Sequence, residues 1–274
     1  MPPPMPEPSL VPDAGGGADA AATDAGGVAP DDAASSAAPS EPVGCAGAAF
    51  CDGFESAPAG GPPDPALWTV VFPDCHGGGG ARVDGSRHHG GNQSVKVTAG
   101  GGYCDHALVQ AARLPEAGRP LYGRFFLWLS QPLGEGHATF LALKDAHDGG
   151  HDLRMGGQKQ VLMWNRQSDD ATLPALGPVG VSKSARLAAN VWTCIEFLVD
   201  GAGATLRTWV DEAPVEGLVA DGTPTRDIDD QWLRGAGWKP AVTDVKLGWE
   251  AYAGQAMTLW IDDVALANQR LGCR

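Results

Sequence analysis

The chain has 274 residues and a formal net charge of −14. It contains no apolar run long enough to cross a membrane, and its excess of carboxylates argues against a nucleic-acid partner, because such partners attract basic surfaces. Residues 1–44 are almost wholly Pro, Ala, Gly, Ser and Asp, with no aromatic residue and no Lys or Arg. Such a segment cannot bury enough apolar surface to offset the entropy of ordering. We therefore predict a disordered linker over 1–44 and one folded domain over 45–274.

Short β-like runs, separated by Gly, Pro and Asp, fill the predicted domain. No sustained helical period accompanies them, so they predict an all-β fold, a single β-sandwich or jelly roll. The hairpin IEFLVDGAGATLRTWVDE resembles the central hairpin of concanavalin-A-like lectins and glucanases, which implies that type of sandwich. The clearest runs cover 94–99, 123–129, 138–143, 160–165, 191–200, 204–212, 244–252 and 257–266.

Six cysteines lie in the predicted domain, at positions 45, 51, 75, 104, 194 and 273. None belongs to a C-x-x-C pair, which argues against a zinc ribbon or a redox motif. An even number of dispersed cysteines after a flexible tether predicts disulfides, and disulfides predict an extracellular or cell-surface location. We expect a signal peptide or a lipid-anchor cysteine upstream of residue 1. Cys75 and Cys104 are the favoured pair, because their flanking turns can meet at one end of adjacent strands.

The run LWIDDVAL (259–266) has the pattern of a buried strand but carries two adjacent carboxylates, Asp262 and Asp263. Since successive side chains of a strand point to opposite faces, one of the two must face inward, where an unpaired carboxylate is costly. Calcium would be a suitable partner, because it takes about six to eight oxygen ligands from carboxylates and loop carbonyls. Glu55 in an early strand, Asp263, and carbonyls of the turn at 87–92 would supply that set.

This set resembles the structural calcium site of many carbohydrate-active jelly rolls, in which F-E, G-x-x-S-L-x-V and D-D-V strands meet at one edge. The resemblance implies a structural Ca²⁺ held by Glu55, Arg87, Asn92 and Asp263, with Asp262 facing solvent or another neighbour. The alternative is that both aspartates lie at a strand end and are simply solvated.

Six segments occur in the same order as in the β-jelly-roll polysaccharide lyases of the alginate and glucuronan lyase type. They are YGRFFLWL, GHATFLALKD, DLRMGGQ, VWTCIEFLVDG, VKLGWEAY and WIDDVAL. The chain resembles even more the cellulase-induced secreted protein of wood-decaying fungi and its bacterial relatives. The resemblance implies a concave cleft for a polysaccharide, and cleavage at a uronic acid by β-elimination in an active enzyme. It also implies that Cys273 pairs with Cys45 or Cys51, which leaves Cys194 without an assigned partner.

β-Elimination needs a group that neutralises the sugar carboxylate, a base for the proton at C5 and an acid for the leaving oxygen. Strand alternation places Arg154 and Gln158 on one face of DLRMGGQ, and Lys246 and Tyr252 on one face of KLGWEAY. By resemblance to the lyases, the candidate catalytic residues are Arg124, His137, Arg154, Gln158 and Tyr252, and Lys246 is a candidate for binding the substrate.

The sequence departs from the lyase pattern in two places. Gly-His stands where the lyases have Gln-x-His, so the neutralising glutamine must come from elsewhere, such as Gln158. KLGWEAY has one residue more between glycine and tyrosine, and a one-residue shift would reverse the face of Tyr252. Four candidates also have a structural alternative. Arg124 can pair with Glu196 or another acid at a sheet rim, and His137 can be a surface histidine. Tyr252 can cap the sheet, and Gln158 can hold a turn.

Nine tryptophans are present, and Trp232 and Trp238 lie in loop-like contexts where they could stack on sugar rings. A tryptophan platform without a Tyr–His pair would indicate a different class of function, a non-catalytic carbohydrate-binding or adhesive module. One sandwich can host either use, so the sequence leaves both open. In both cases we expect a monomer whose partner is a polysaccharide.

Overall fold

The computed structural model describes residues 44–102, 104–234, 237–252 and 254–274. The predicted linker lies outside the described residues except for Gly44, so its disorder and the boundary at residue 45 stay predictions. None of the described helices is long and apolar enough to cross a membrane.

Strands dominate the described chain, and only a 3₁₀ turn at Ala146–Asp148 and a short helix α1 (Pro178–Ser182) interrupt them. The strands are β1 (Phe50–Asp52), β2 (Trp68–Val71), β3 (Gly80–Asp84), β4 (Ser94–Ala99), β5 (Ala107–Ala111), β6 (Leu121–Leu129), β7 (Ala138–Asp145), β8 (His151–Gln158), β9 (Val161–Arg166), β10 (Ala171–Leu173), β11 (Trp192–Asp200), β12 (Thr205–Val210), β13 (Ala213–Ala220), β14 (Lys246–Ala251) and β15 (Met257–Ala267). Each of the predicted runs falls on one of these strands.

Two sheets form the sandwich, and every strand pair in them is antiparallel. The first sheet has the order β13-β12-β11-β6-β15-β4-β3, with β1 also paired to β15. The second sheet has the order β10-β9-β8-β7-β14-β5-β2. The all-β jelly-roll sandwich predicted from the sequence is therefore confirmed.

Period-two alternation decides what each strand of the second sheet buries. In β14, Leu247 and Trp249 belong to the apolar core between the sheets. Lys246 and Glu250 therefore point to the outer face. Large aromatic side chains such as Trp164 and Phe140 fill the same core. The outer face of the second sheet carries these polar residues, and this is where the candidate site lies.

The described cysteines form three disulfides, and one of them agrees with the predicted pairing. Cys75 and Cys104 are bonded as expected. The prediction for Cys273 was wrong, because it bonds to Cys194, while Cys45 bonds to Cys51. The reason lies in the path of the C-terminal segment. It runs back against β11, where Arg270 and the N–H of Gly272 both bind the carboxylate of Glu196.

Candidate functional site

A polar cleft lies on the outer face of the second sheet and consists of two adjoining lobes of about 600 and 430 Å³. The two lobes share Asp74, Arg154, Gln167 and Tyr252, so they form one continuous groove. We call the hollow beside His137 and Asn165 the first lobe, and the hollow beside Lys246 and Asp244 the second lobe. Sites for small ligands typically have volumes of about 300–1,000 Å³, so the two lobes together can hold more than one sugar.

Arg154 lies at the junction of the two lobes and is the centre of a hydrogen-bonded network. Its Nε donates to Oδ1 of Asn165 at 3.0 Å, and its Nη1 donates to the hydroxyl of Tyr252 at 3.4 Å. Two carboxylates balance its charge, Asp170 at 3.5 Å and Glu250 at 3.9 Å. The guanidinium is almost fully buried, whereas the side chain of Asp170 is 83% exposed. Asp170 can therefore move aside for an incoming carboxylate, while Glu250 stays.

Tyr252 and His137 stand next to each other above this guanidinium. Their rings are stacked, with centroids 6.1 Å apart and an interplanar angle of 12°. The hydroxyl of Tyr252 donates to Oε1 of Glu250, and the edge of the same ring meets buried His106. The tyrosine is thereby held on both sides, with its hydroxyl directed into the groove beside Arg154.

The environment of the cleft gives these two side chains defined protonation states. Burial, together with the charge of Arg154, lowers the pKa of His137 to about 4, so its imidazole is neutral at neutral pH. Burial and the hydrogen bond to Glu250 raise the pKa of Tyr252, so its hydroxyl keeps its proton. The cleft thus holds a neutral base and a protonated acid side by side.

The extra residue in KLGWEAY does not turn Tyr252 away from the cleft. The pairing of β14 with β7 shifts register between Leu247 and Glu250, which accommodates one more residue on β14. Lys246, Glu250 and Tyr252 all line the second lobe. The structure therefore brings His137, Arg154, Gln158 and Tyr252 to one groove, and places Lys246 in its second lobe.

Arg124 is not part of this groove, and its assignment must be corrected. It lies in β6 of the first sheet, it is only 1% exposed, and it is the cross-strand neighbour of Glu196. Burial lowers the pKa of its guanidinium, while the charges of Asp263 and Glu196 raise it. Arg124 thus lies beside Glu196, the residue named in its structural alternative, and Glu196 itself forms an ion pair with Arg270.

The two tryptophans proposed to stack on sugars also lie outside the cleft. Trp232 is fully buried, so it has no face available to a sugar, and its assignment is wrong. Trp238 is half-buried and packs edge-to-face on Trp232 at 5.4 Å. It lines a separate hollow together with Arg234 and Lys239. Sequence reasoning missed that a tryptophan in a loop can pack into the core and so anchor the loop.

Several residues that line the first lobe were not predicted. Asn165 could have been found, because alternation in VLMWNR places it on the face opposite to core residues Leu162 and Trp164. Asp74 and Thr172 had no comparable signal. They reach the cleft from a disulfide-bonded loop and from the short edge strand β10, whose positions depend on the folded chain.

Comparison with known proteins places the chain in a family. Residues 54–269 match the family described as "Polysacc_lyase-like: Cip1-like, core domain". The solved structure of "Cellulose induced protein, Cip1" is 36% identical, with a TM-score of 0.76, over 82% of this chain and 100% of that chain. The chain belongs to the Cip1-like family. No curated protein sequence matches it.

A more distant structural neighbour of this Cip1-like chain is the endo-beta-1,4-glucuronan lyase from the fungus Trichoderma reesei. The two are 17% identical, with a TM-score of 0.45, over 81% of this chain and 96% of that one. The family membership confirms the resemblance that the order of segments in the sequence indicated.

A second polar cluster of the Cip1-like domain lies in the first sheet, and we call it the loop cluster. It consists of Glu55, Asp262, Asp263 and the loop 87–93. Asp262 and Asp263 are both buried, and β15 bulges after Asp262, where Asp263 has a left-handed φ of 45°. This bulge turns both carboxylates toward the loop, so Asp262 faces a neighbouring segment and not solvent.

Backbone N–H groups of the loop satisfy Asp262 and Glu55, whereas Asp263 is bound by the side chain of His89, whose Nδ1 lies 2.7 Å from its Oδ2. The N–H groups of His89 and Gly90 donate to Asp262 at 2.7 and 3.2 Å, and those of Asn92 and Gln93 donate to Glu55 at 2.7 and 2.8 Å. Burial, with the adjacent charge of Asp263, raises the pKa of Asp262 to about 8.

Two consecutive glycines of the loop lie against carboxylates of this cluster. A Cβ on Gly91 would lie 2.3 Å from Oε1 of Glu55, and one on Gly90 would lie 2.7 Å from Oδ2 of Asp263. The three segments that the sequence proposed for calcium therefore converge, and the carbonyl of Arg87, one of the proposed ligands, accepts a hydrogen bond from the hydroxyl of Ser94. In the part of the chain that the structure describes, no group of three or more His, Cys, Asp or Glu side chains could by itself hold a metal ion. A cation here would need loop carbonyl and amide oxygens as well, which suits calcium.

Proposed function

We propose that this protein is an extracellular, carbohydrate-active β-jelly roll that cleaves a uronic-acid-containing polysaccharide by β-elimination. The observation that carries the proposal is the convergence of His137, Arg154 and Tyr252 in one groove of a polysaccharide-lyase-like domain. These three side chains supply a base, a carboxylate-binding cation and an acid, which are the groups that the reaction needs.

Arg154 takes the role of binding and neutralising the sugar carboxylate. Neutralisation lowers the pKa of the C5–H bond, because the negative charge that develops beside the carboxyl group is stabilised. Asn165 and Gln158, which line the same lobe, add uncharged hydrogen-bonding groups around the carboxylate. The exposed carboxylate of Asp170 leaves the guanidinium when the substrate binds.

His137 takes the C5 proton, and Tyr252 gives its proton to the leaving glycosidic oxygen. The electron pair of the C5–H bond forms the C4–C5 double bond, while the C4–O bond breaks. The neutral imidazole of His137 and the protonated hydroxyl of Tyr252 are the states that this step requires.

The three disulfides support an oxidising, extracellular or cell-surface location. We also propose a monomer, with the cleft open to a polysaccharide. For the loop cluster we propose a structural Ca²⁺, held by the carboxylates of Glu55 and Asp263, Asn92 and the carbonyl of Arg87. When bound, the ion would tie the first and last strands together and would take no part in the reaction.

The test is absorbance of the unsaturated uronate product over a panel of glucuronan, alginate and pectin, measured together with binding. An active lyase gives product with at least one polymer, and the His137→Gln variant loses it. Binding to a polymer without product from any of them would instead favour a non-catalytic module. One observation favours that second function. The hydroxyl of Tyr252 already donates its proton in a hydrogen bond to Glu250, whose carboxylate also lies 3.9 Å from Arg154.

A further inference from the structure

The charges that line the cleft restrict the polymer that it can take. Lining residues in the described chain include more carboxylates than cations. The carboxylates are Asp74, Asp152, Asp170, Asp244 and Glu250, and the cations are Lys144, Arg154 and Lys246. A polyuronate carries a negative charge on every sugar, so most of its length would meet this acidic surface.

Lys246, the cation inside the second lobe, is already neutralised. Its Nζ lies 3.0 Å from Oδ1 of Asp152 and 3.1 Å from Oδ2 of Asp244, and its side chain is only 7% exposed. Binding a sugar carboxylate there would bring a third negative charge to one ammonium group. The remaining cation, Lys144, donates to the carbonyl of Gly150 at the exposed rim. Apart from Arg154, which both lobes share, the second lobe therefore has no buried cation available for a uronate.

The first lobe also has uncharged lining residues. Gln158, Asn165 and Thr172 line this lobe alone, Gln167 lines both lobes, and each can hydrogen-bond a hydroxyl group. Thr172 is only 2% exposed, and its Oγ1 has no hydrogen-bond partner within the described residues. A buried hydroxyl without a partner is costly, and a sugar hydroxyl in this lobe would satisfy it.

Arg154, at the junction of the lobes, is therefore the one cation among the described lining residues that is placed to receive a buried carboxylate. We propose, on the basis of the lyase function proposed above, that the substrate is a heteropolysaccharide whose uronate is flanked by neutral sugars. The neutral sugars lie against the uncharged lining residues of the first lobe and in the second lobe. The Asp152–Lys246–Asp244 cluster acts as the specificity determinant that rejects chains with a carboxylate on every sugar.

The test compares two polymers that both contain β-1,4-linked glucuronate. Gellan, freed of acyl groups, carries its glucuronate between neutral glucose units, whereas glucuronan carries one on every sugar. We expect kcat/KM for gellan to exceed that for glucuronan by about tenfold or more, the size of one like-charge contact in a partly solvated site. Equal rates, or faster cleavage of glucuronan, would overturn the inference and leave the lyase function standing.

A variant that removes one negative charge tests whether this cluster causes the preference for gellan. Asp152→Asn should narrow the preference for gellan, because Lys246 would then have a charge to offer a second uronate. Glu216→Gln is the matched control. Glu216 lies in β13 of the first sheet and forms an exposed ion pair with Lys183. The control also removes one negative charge, and it should leave the preference for gellan unchanged. An unchanged preference in Asp152→Asn, at a melting temperature equal to that of the wild type, would contradict the role of this cluster.

The wild-type protein provides a second measurement that does not depend on a variant folding. If the cleft repels polyuronates, added salt screens the repulsion and raises the ratio of glucuronan to gellan turnover. A falling ratio would overturn the inference. If neither polymer gives an unsaturated product, the lyase function fails, and binding by affinity electrophoresis decides the inference. Stronger retention of gellan than of glucuronan supports the inference. Stronger retention of glucuronan, or no difference between the two polymers, overturns it.

Discussion

The cleft and the loop cluster both contain buried carboxylates, but they satisfy them differently. In the loop cluster, Asp262 and Glu55 accept hydrogen bonds from the backbone of one glycine-rich loop. In the cleft, Glu250 is bound by side chains, the hydroxyl of Tyr252 and the guanidinium of Arg154, which border open space. Backbone donors cannot move without moving the chain, whereas side chains can exchange partners. The difference marks the loop cluster as structural, with any ion that it binds, and the cleft as the place where a substrate can compete for side-chain partners.

The variant Tyr252→Phe should give the largest effect of the changes that test this distinction. It removes the acid of the proposed reaction but keeps the ring, so kcat/KM should fall by about 10²–10⁴-fold. Melting should change little, because Tyr252 is 40% exposed. The measurement is product absorbance together with a thermal melt.

The matched control for this variant is Tyr122→Phe. Tyr122 lies in β6 of the first sheet, away from the cleft. Its variant also removes one tyrosine hydroxyl and keeps the ring. Equal loss of activity in both variants, or none in Tyr252→Phe, would contradict the assignment of Tyr252 as the acid.

A substitution in the loop cluster should instead reduce stability. In Gly91→Ala the new Cβ would meet the carboxylate of Glu55, at a left-handed φ of 56°. Backbone strain and two lost hydrogen bonds to Glu55 together predict a loss of about 3–4 kcal/mol in the free energy of unfolding. Chemical denaturation measures it.

Gly118→Ala separates the two contributions. Gly118 also has a left-handed φ, of 75°, but a Cβ there meets nothing within 4 Å. Its cost should therefore be the strain alone, about 1–2 kcal/mol. If both variants lose the same stability, the contact between the loop and Glu55 contributes nothing.

Calcium should act on the loop cluster and leave the cleft unchanged. At about 100 times its Kd, a calcium ion that binds only the folded protein would stabilise it by about 2.7 kcal/mol. The expected result is a melting temperature that falls with chelator and recovers with Ca²⁺, and a Glu55→Gln variant that responds less. A melt that is insensitive to chelator would rule out the proposed ion.

The sequence predicted those parts of the molecule that depend on local pattern. Strand β4 coincides with the run 94–99, and alternation within single strands brought Arg154, Gln158 and Lys246 to one face. These features follow from the two-residue period of a strand and need no knowledge of distant segments.

The parts that sequence reasoning missed depend on which sheet a strand joins. Arg124 has the same type of local pattern as Arg154, but β6 pairs with β11 and β15, in the sheet opposite the cleft. The partner of Cys194 depends on the return path of the C-terminal segment, which pairs it with Cys273. Register and sheet assignment are long-range properties, so a single strand does not reveal them.

The smallest expected effect is a pH profile of kcat/KM that is flatter than usual on the acid side. A base must be neutral to act, and an ordinary histidine is protonated below a pKa of about 6.5. Burial and Arg154 lower the pKa of His137 to about 4, so this side chain stays neutral between those two values. We expect kcat/KM to change by less than about twofold from pH 7 to pH 5, and to fall only near pH 4. No basic limb should appear near neutrality, because the raised pKa of Tyr252 keeps its proton in place. NMR titration of the His137 ring checks the assignment without a substrate, and a midpoint near 6.5 would show that the cleft does not hold this histidine neutral.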